Sequence, residues 1–194
     1  MKPALAAALV LCSGVAAAQA TPGNASLSFE ALQKAPVGAW AEYSMMVGTK
    51  KGSTMRYSLV EKSAKSLGLE IETVMPPLVM RMDFAANGAS AWKLTRIRMR
   101  MGQGPVQDAP PPEGTDEAIK KGGNFGTLLG IETLKTPAGS FECRHYKQKT
   151  QQGEGDVWMS DKLLPSGLVQ TTVASLGARI TLEKTGTGAA AKIK

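Results

Sequence analysis

From residue 41 to residue 184 the chain alternates apolar and polar side chains with a period of two, segment after segment. That period belongs to half-buried β-strands and excludes a helical bundle. Ala41, Tyr43, Met45 and Val47 share one face of the first segment. Met55, Tyr57 and Leu59 share a face of the second, with Arg56, Ser58 and Lys62 mostly opposite. Leu67, Leu69 and Ile71 oppose Glu70 and Glu72 in the third, and Leu78, Met80, Met82 and Phe84 alternate with Arg81 and Asp83 in the fourth. The fifth, Ala91 to Met101, is the longest. Trp92 and Leu94 have one parity there, and Ile97, Met99 and Met101 the other. A slip of one residue carries every side chain across a sheet, so a β-bulge is predicted near Thr95-Arg96. Arg96, Arg98 and Arg100 then form a basic stripe on the solvent side.

The breaks in this pattern mark the connections. Ser28 to Ala35 reads as one short helix capped by Ser28 and stopped by Pro36-Val37-Gly38. Residues 102–114, with prolines at 105, 110, 111 and 112, read as a long exposed loop. Thr115 to Lys121 is expected as a second short helix, ended by Gly122-Gly123, and Phe125 to Leu129 is ambiguous between helix and coil. Ile131 to Lys135, a turn at 137–140 and Phe141 to Lys149 make a hairpin. Asp156 to Ser160, Gly167 to Val173 and Ala178 to Lys184 complete the strands. The tail, 185–194, has no core to join and is expected to fray. The fold class is therefore mainly β (β-rich α+β): a curved antiparallel sheet or half-barrel with one or two short covering helices. Short sequential connections favour a meander.

The first 20 residues have a separate logic. Met1-Lys2 is a short basic start, Ala4 to Leu11 an apolar run, and Ala18-Gln19-Ala20 a small-x-small cleavage site. The run is too short to cross a bilayer, so residues 1–20 read as a cleavable signal peptide, 21–185 as a single β-rich domain and 186–194 as a flexible tail. The expected location is the periplasm. Cleavage leaves about 174 residues with a net charge of about +6, enough for one domain with a core. A moderately basic surface fits anionic lipid headgroups or acidic partners, and equally plain solubility. An exported chain without basic-aromatic recognition motifs is not expected to bind nucleic acid. Cys12 leaves with the signal; as a lipidated first residue it would follow Leu11, which is not small. Cys143 then stands alone, without a disulfide.

Catalytic residues are few. His145 is the single histidine, two residues from Cys143 on one strand, and an i, i+2 pair is about 7 Å apart, too far for thiolate activation without a third group. Asp156 and Asp161 flank a strand and serve as turn residues or calcium ligands. No nucleophile elbow, zinc-protease or phosphate-loop motif is present, so neither enzymatic activity nor a cofactor or metal is expected.

Methionine is the unusual component, with ten in the chain against 5% aromatics. A deformable face of methionine and leucine suits flexible apolar chains, although methionine also fills cores, and the pairs Met80-x-Met82 and Met99-x-Met101 leave Cu(I) open. The candidate lining comprises Met45, Met55, Leu59, Leu69, Ile71, Leu78, Met80, Met82, Phe84, Ile97, Met99 and Met101.

One segment adds a resemblance. Thr136-Pro137-Ala138-Gly139-Ser140-Phe141-Glu142-Cys143 is followed by Val157-Trp158-Met159-Ser160-Asp161 and Pro165-Ser166-Gly167-Leu168-Val169. This order of a TPAG-F-x-C hairpin, a W-x-S strand and a P-x-G-L-V strand resembles small exported bacterial proteins with a fold similar to the LolA/LolB-type lipoprotein carriers. The resemblance implies an open half-barrel around helices, whose apolar concave face binds lipid, acyl chains or a lipidated protein. The expected role is non-catalytic binding of an apolar small molecule or lipidated partner, with peripheral membrane contact through the arginine stripe. The alternative is an envelope assembly protein acting through a sheet edge or the 102–114 loop.

Overall fold

The structure is a computed structural model that describes residues 27–111, 118–150 and 153–193. The expected signal peptide and the first three residues of the expected second helix, 115–117, lie outside them. One helix, α1 (Phe29–Lys34), precedes twelve strands: β1 (Trp40–Val47), β2 (Lys50–Lys62), β3 (Ser66–Thr73), β4 (Leu78–Ala86), β5 (Ala91–Met101), β6 (Gln107–Ala109), β7 (Ile119–Lys120), β8 (Thr127–Thr136), β9 (Gly139–Thr150), β10 (Gly153–Met159), β11 (Leu168–Val173) and β12 (Ala178–Gly186). A 3-10 turn, Ala174–Leu176, joins the last two.

All twelve form one antiparallel sheet in the order β6-β5-β4-β3-β2-β1-β12-β11-β10-β9-β8, with β7 on the same side of β5 as β6. The topology is two meanders sewn together where β1 pairs with β12. The sheet does not close into a barrel: β6 and β7 end one side, β8 the other. The curved antiparallel sheet with little helix is as the alternation requires.

The bulge in β5 is where the parity change places it. Asp83 pairs with Arg96 and Phe84 with Leu94, which leaves Thr95 extra, its hydroxyl donating to the Asp83 carbonyl at 2.9 Å. The helix begins where Ser28 caps it, with its Oγ accepting from the Ala31 amide at 3.2 Å. Phe29, Ala31 and Leu32 are buried, and the Ser28 amide donates to the Ser166 carbonyl at 2.8 Å, fixing α1 to the 160–167 loop. Gly167 makes this approach feasible: its φ is +77°, and a Cβ there would sit 2.5 Å from the Ser28 Cβ.

Four expectations are corrected. The loop 102–114 is not wholly loop, because Gln107–Ala109 between its prolines pairs with Ile97–Met99 as β6. Residues 119–120 of the expected second helix are a strand, β7, held to Ala91-Trp92 because the buried Ile119 side chain has an apolar site there. The arginine stripe is not a free basic face. Arg98 is buried against Asp83 at 2.6 Å, and Arg96 pairs with both oxygens of Asp108 at 2.8 and 3.0 Å. The tail, finally, does not fray. It runs back over the outer face of the sheet, with the Trp40 indole donating to the Thr187 carbonyl and the Ala189 amide donating to the Gly38 carbonyl, and it buries Ile193. The face it covers, where Ile193 meets Glu70 and Arg81, is the one that alternation treated as solvent.

Candidate functional site

Register places the predicted lining residues of the β1–β5 half in rows across one face of the sheet. One row runs Leu67, Phe84, Leu94, and the next Leu59, Leu69, Met82, Ile97. The third runs Ala41, Tyr57, Ile71, Met80, Met99, and the fourth Tyr43, Met55, Thr73, Leu78, Met101. Burial falls along this series from β2 to β5, while Ala41 and Tyr43 at the β1 end of the last two rows stay at 0% exposure. The first two rows are fully packed, with Leu59, Leu69 and Met82 at 0% exposure. In the third, Ile71 is buried while Met80 and Met99 are half-buried. In the fourth, Met55 and Leu78 are half-buried and Met101 is 63% exposed. Met45, opposite Ile180 at the seam, is half-buried too.

The twelve predicted residues therefore divide. Leu59, Leu69, Ile71, Met82, Phe84 and Ile97 are core. Met45, Met55, Leu78, Met80, Met99 and Met101 form an open, methionine-rich end of the same face. The β3–β4 connection extends it, since Val74 and Met75 are exposed and the Gly102 amide donates to the Pro77 carbonyl at 2.9 Å. Sequence reasoning missed Val74 and Met75 because they fall in a turn, outside the alternation that flagged the others.

A separate cleft of about 270 Å³ is lined by Pro36, Ala39, Phe141, Leu163, Leu164 and Thr185 with Lys162 at its side. It includes none of the twelve and falls below the usual size for a site that engulfs an organic ligand, roughly 300 Å³ or more.

Cys143 and His145 lead separate lives. The Cys143 Sγ is buried and donates to the Phe141 carbonyl at 3.4 Å, and burial pushes the thiol up to about 11. His145 stacks on Trp158, ring centres 4.4 Å apart, with Nδ1 3.0 Å from Glu132 Oε1 and Nε2 2.9 Å from Asp156 Oδ1. The Trp158 indole donates to the same Glu132 oxygen at 2.6 Å. Burial resists ionisation of Asp156, yet hydrogen bonds and charge from His145 and Lys147 outweigh it and hold the carboxyl below its ordinary value. Asp161 receives two bonds from Arg144 Nη2 at 2.7 Å and one from the Ser28 hydroxyl at 3.0 Å, so it ties loop, strand and helix together. Among the described residues no three His, Cys, Asp or Glu side chains converge to hold a metal, and no helix is long and apolar enough to cross a membrane.

No protein-family model matches the chain, and no curated protein does. Among solved structures, two are similar to the chain at low identity. One is a "putative exported protein with YmcC-like fold" from Bacteroides fragilis NCTC 9343, 15% identical, covering 78% of this chain and 97% of its own, with a TM-score of 0.47. The other is a "putative lipoprotein" from Parabacteroides distasonis ATCC 8503, 14% identical, covering 78% and 96%, with a TM-score of 0.41.

Proposed function

We propose that this chain is an exported, non-catalytic binding protein that takes an apolar chain, a lipid acyl group or a lipid-modified partner, at the methionine-rich end of its sheet. The graded burial of one continuous apolar face carries this reading. The face is dry core at Leu59, Leu69 and Met82 and open at Met55, Leu78, Met80, Met99 and Met101. Exposed apolar surface continuous with a core costs free energy in an unliganded monomer, and unbranched thioethers repack around varied chains. The basic start, apolar run and Ala18-Gln19-Ala20 site support export to the periplasm.

Native mass spectrometry of the periplasmic protein, purified without detergent and followed by lipid extraction, tests the proposal. A stoichiometric acyl species is expected. The double substitution Met80→Lys with Met99→Lys, on half-exposed positions, is expected to abolish it while leaving a cooperative melt. A wild-type protein that carries nothing, and that ignores added fatty acid, ends the reading.

One observation favours a second role, assembly through protein contacts. β8 ends the sheet, and Leu128, Leu129 and Ile131 on it are all more than half exposed. A free strand with apolar side chains is a template for an added strand. Ile131→Lys would then remove a partner and leave lipid content unchanged.

A further inference from the structure

The outer face of β3 and β4 holds a group of charges arranged around a backbone. Glu70 is 1% exposed, and its carboxylate accepts the Lys192 amide with both oxygens, at 2.9 and 3.0 Å, and the Ile193 amide with Oε1 at 2.9 Å. Arg81, cross-strand from Glu70, donates Nη1 to the Ile193 carbonyl at 2.9 Å. The same guanidinium is held by Glu61 at 2.5 Å and Asp83 at 2.8 Å. Gly68 leaves it room: a Cβ there would stand 3.0 Å from Arg81 Nη2. The Lys192 ammonium reaches Glu72 at 2.5 Å, and the Ile193 side chain is buried.

Side chains, and not a strand ladder, thus satisfy both backbone groups of Ile193. A buried carboxylate that found no amides would carry a heavy desolvation cost, so the geometry is built around an occupant. Between β12 and this dipeptide lies Thr187-Gly188-Ala189-Ala190-Ala191, which is small and largely exposed. The arrangement is that of a short peptide joined to its receptor by a tether, itself held at Thr187 by Trp40 and at Ala189 by Gly38, where covalent linkage supplies a high effective concentration.

We propose that Glu70, Glu72 and Arg81 form a receptor site for an extended lysine–aliphatic peptide, and that the chain's own Lys192-Ile193 is its resident, exchangeable occupant. Recognition is two consecutive amides on the carboxylate, a carbonyl on the guanidinium, an ammonium on Glu72 and a buried aliphatic side chain. The same segment of another copy satisfies every one of these.

The test uses the full chain carrying Ile193→Asp, which evicts the resident, and a fluorescent peptide of residues 187–194 read by anisotropy. Saturable binding to this host is expected, at least about ten-fold weaker to the wild type, whose site is filled. It should also weaken about ten-fold or more with Glu70→Gln in the host, as loss of bonds to a charged acceptor implies. A peptide with aspartate at the isoleucine position should not bind to the same folded host. Ile193→Ser, which introduces no charge, is the second host if Ile193→Asp melts early. A cooperatively folded host that shows no saturable binding, or that binds both peptides alike, overturns the proposal and leaves the contact a fixed strap.

Discussion

Tyr43 lies wholly inside the protein, and its one hydroxyl proton is committed to the Leu168 carbonyl at 2.7 Å. Ser166 therefore donates to the phenol oxygen, at 2.5 Å, and burial drives the phenol's ionisation far above its ordinary range. Tyr43→Phe would strand a buried carbonyl and hydroxyl, and urea denaturation should show a loss of about 1–3 kcal/mol. Cys143 offers a second check. With its thiol pushed up to about 11 by burial, little thiolate exists near neutrality, so an aromatic disulfide reagent at pH 8 should react slowly with the native protein and stoichiometrically in denaturant. Asp156 sets an acid limit. Its carboxyl is held below the ordinary value, so its contribution is complete above that ordinary value, near ~4, and disappears as pH falls through the folded one. Asp156→Asn should cost about 0.5–1 kcal/mol at pH 7, and the gap to the wild type should close in acid titrations.

At the scale of elements, the 160–167 loop couples α1 to the sheet, and Gly167→Ala tests that coupling. The substitution must strain a left-handed backbone and push against Ser28 and Ala31, so thermal melts should register a loss of at least about 2 kcal/mol with α1 loosened. The elements that could be read from sequence were those with strong local rules. The alternation of Leu78 to Phe84, the Ser28 cap and the parity change at Thr95 each depend on neighbours close in the chain. β6 and β7 could not be read, because two or three residues carry no period and prolines flank one of them. The tail was opaque for a different reason. Ile193 and Glu70 are distant in sequence, and a buried glutamate on a face of Ser58, Arg81 and Arg98 looks like any solvated residue until its amides arrive. The candidate face was half legible: period two chose the face, and only the register across five strands showed which of its methionines stay open.

At the scale of the whole molecule, the two meanders share a core through β1 and β12, where Tyr43 pairs with Leu182, both at 0% exposure. Leu182→Ala should cost about 2–5 kcal/mol, and fluorescence of single-tryptophan variants retaining Trp92 in one half or Trp158 in the other should report one coincident unfolding transition. A non-coincident pair of transitions would show two independent halves. The same seam fixes an order in time. When the chain emerges amino end first, β1 has β2 beside it at once but lacks its other neighbour until residues 178–186 appear. The first strand must wait, one edge bare, for nearly the whole polypeptide to be delivered. A chain with this wiring stays open, and so threadable, for as long as its delivery lasts.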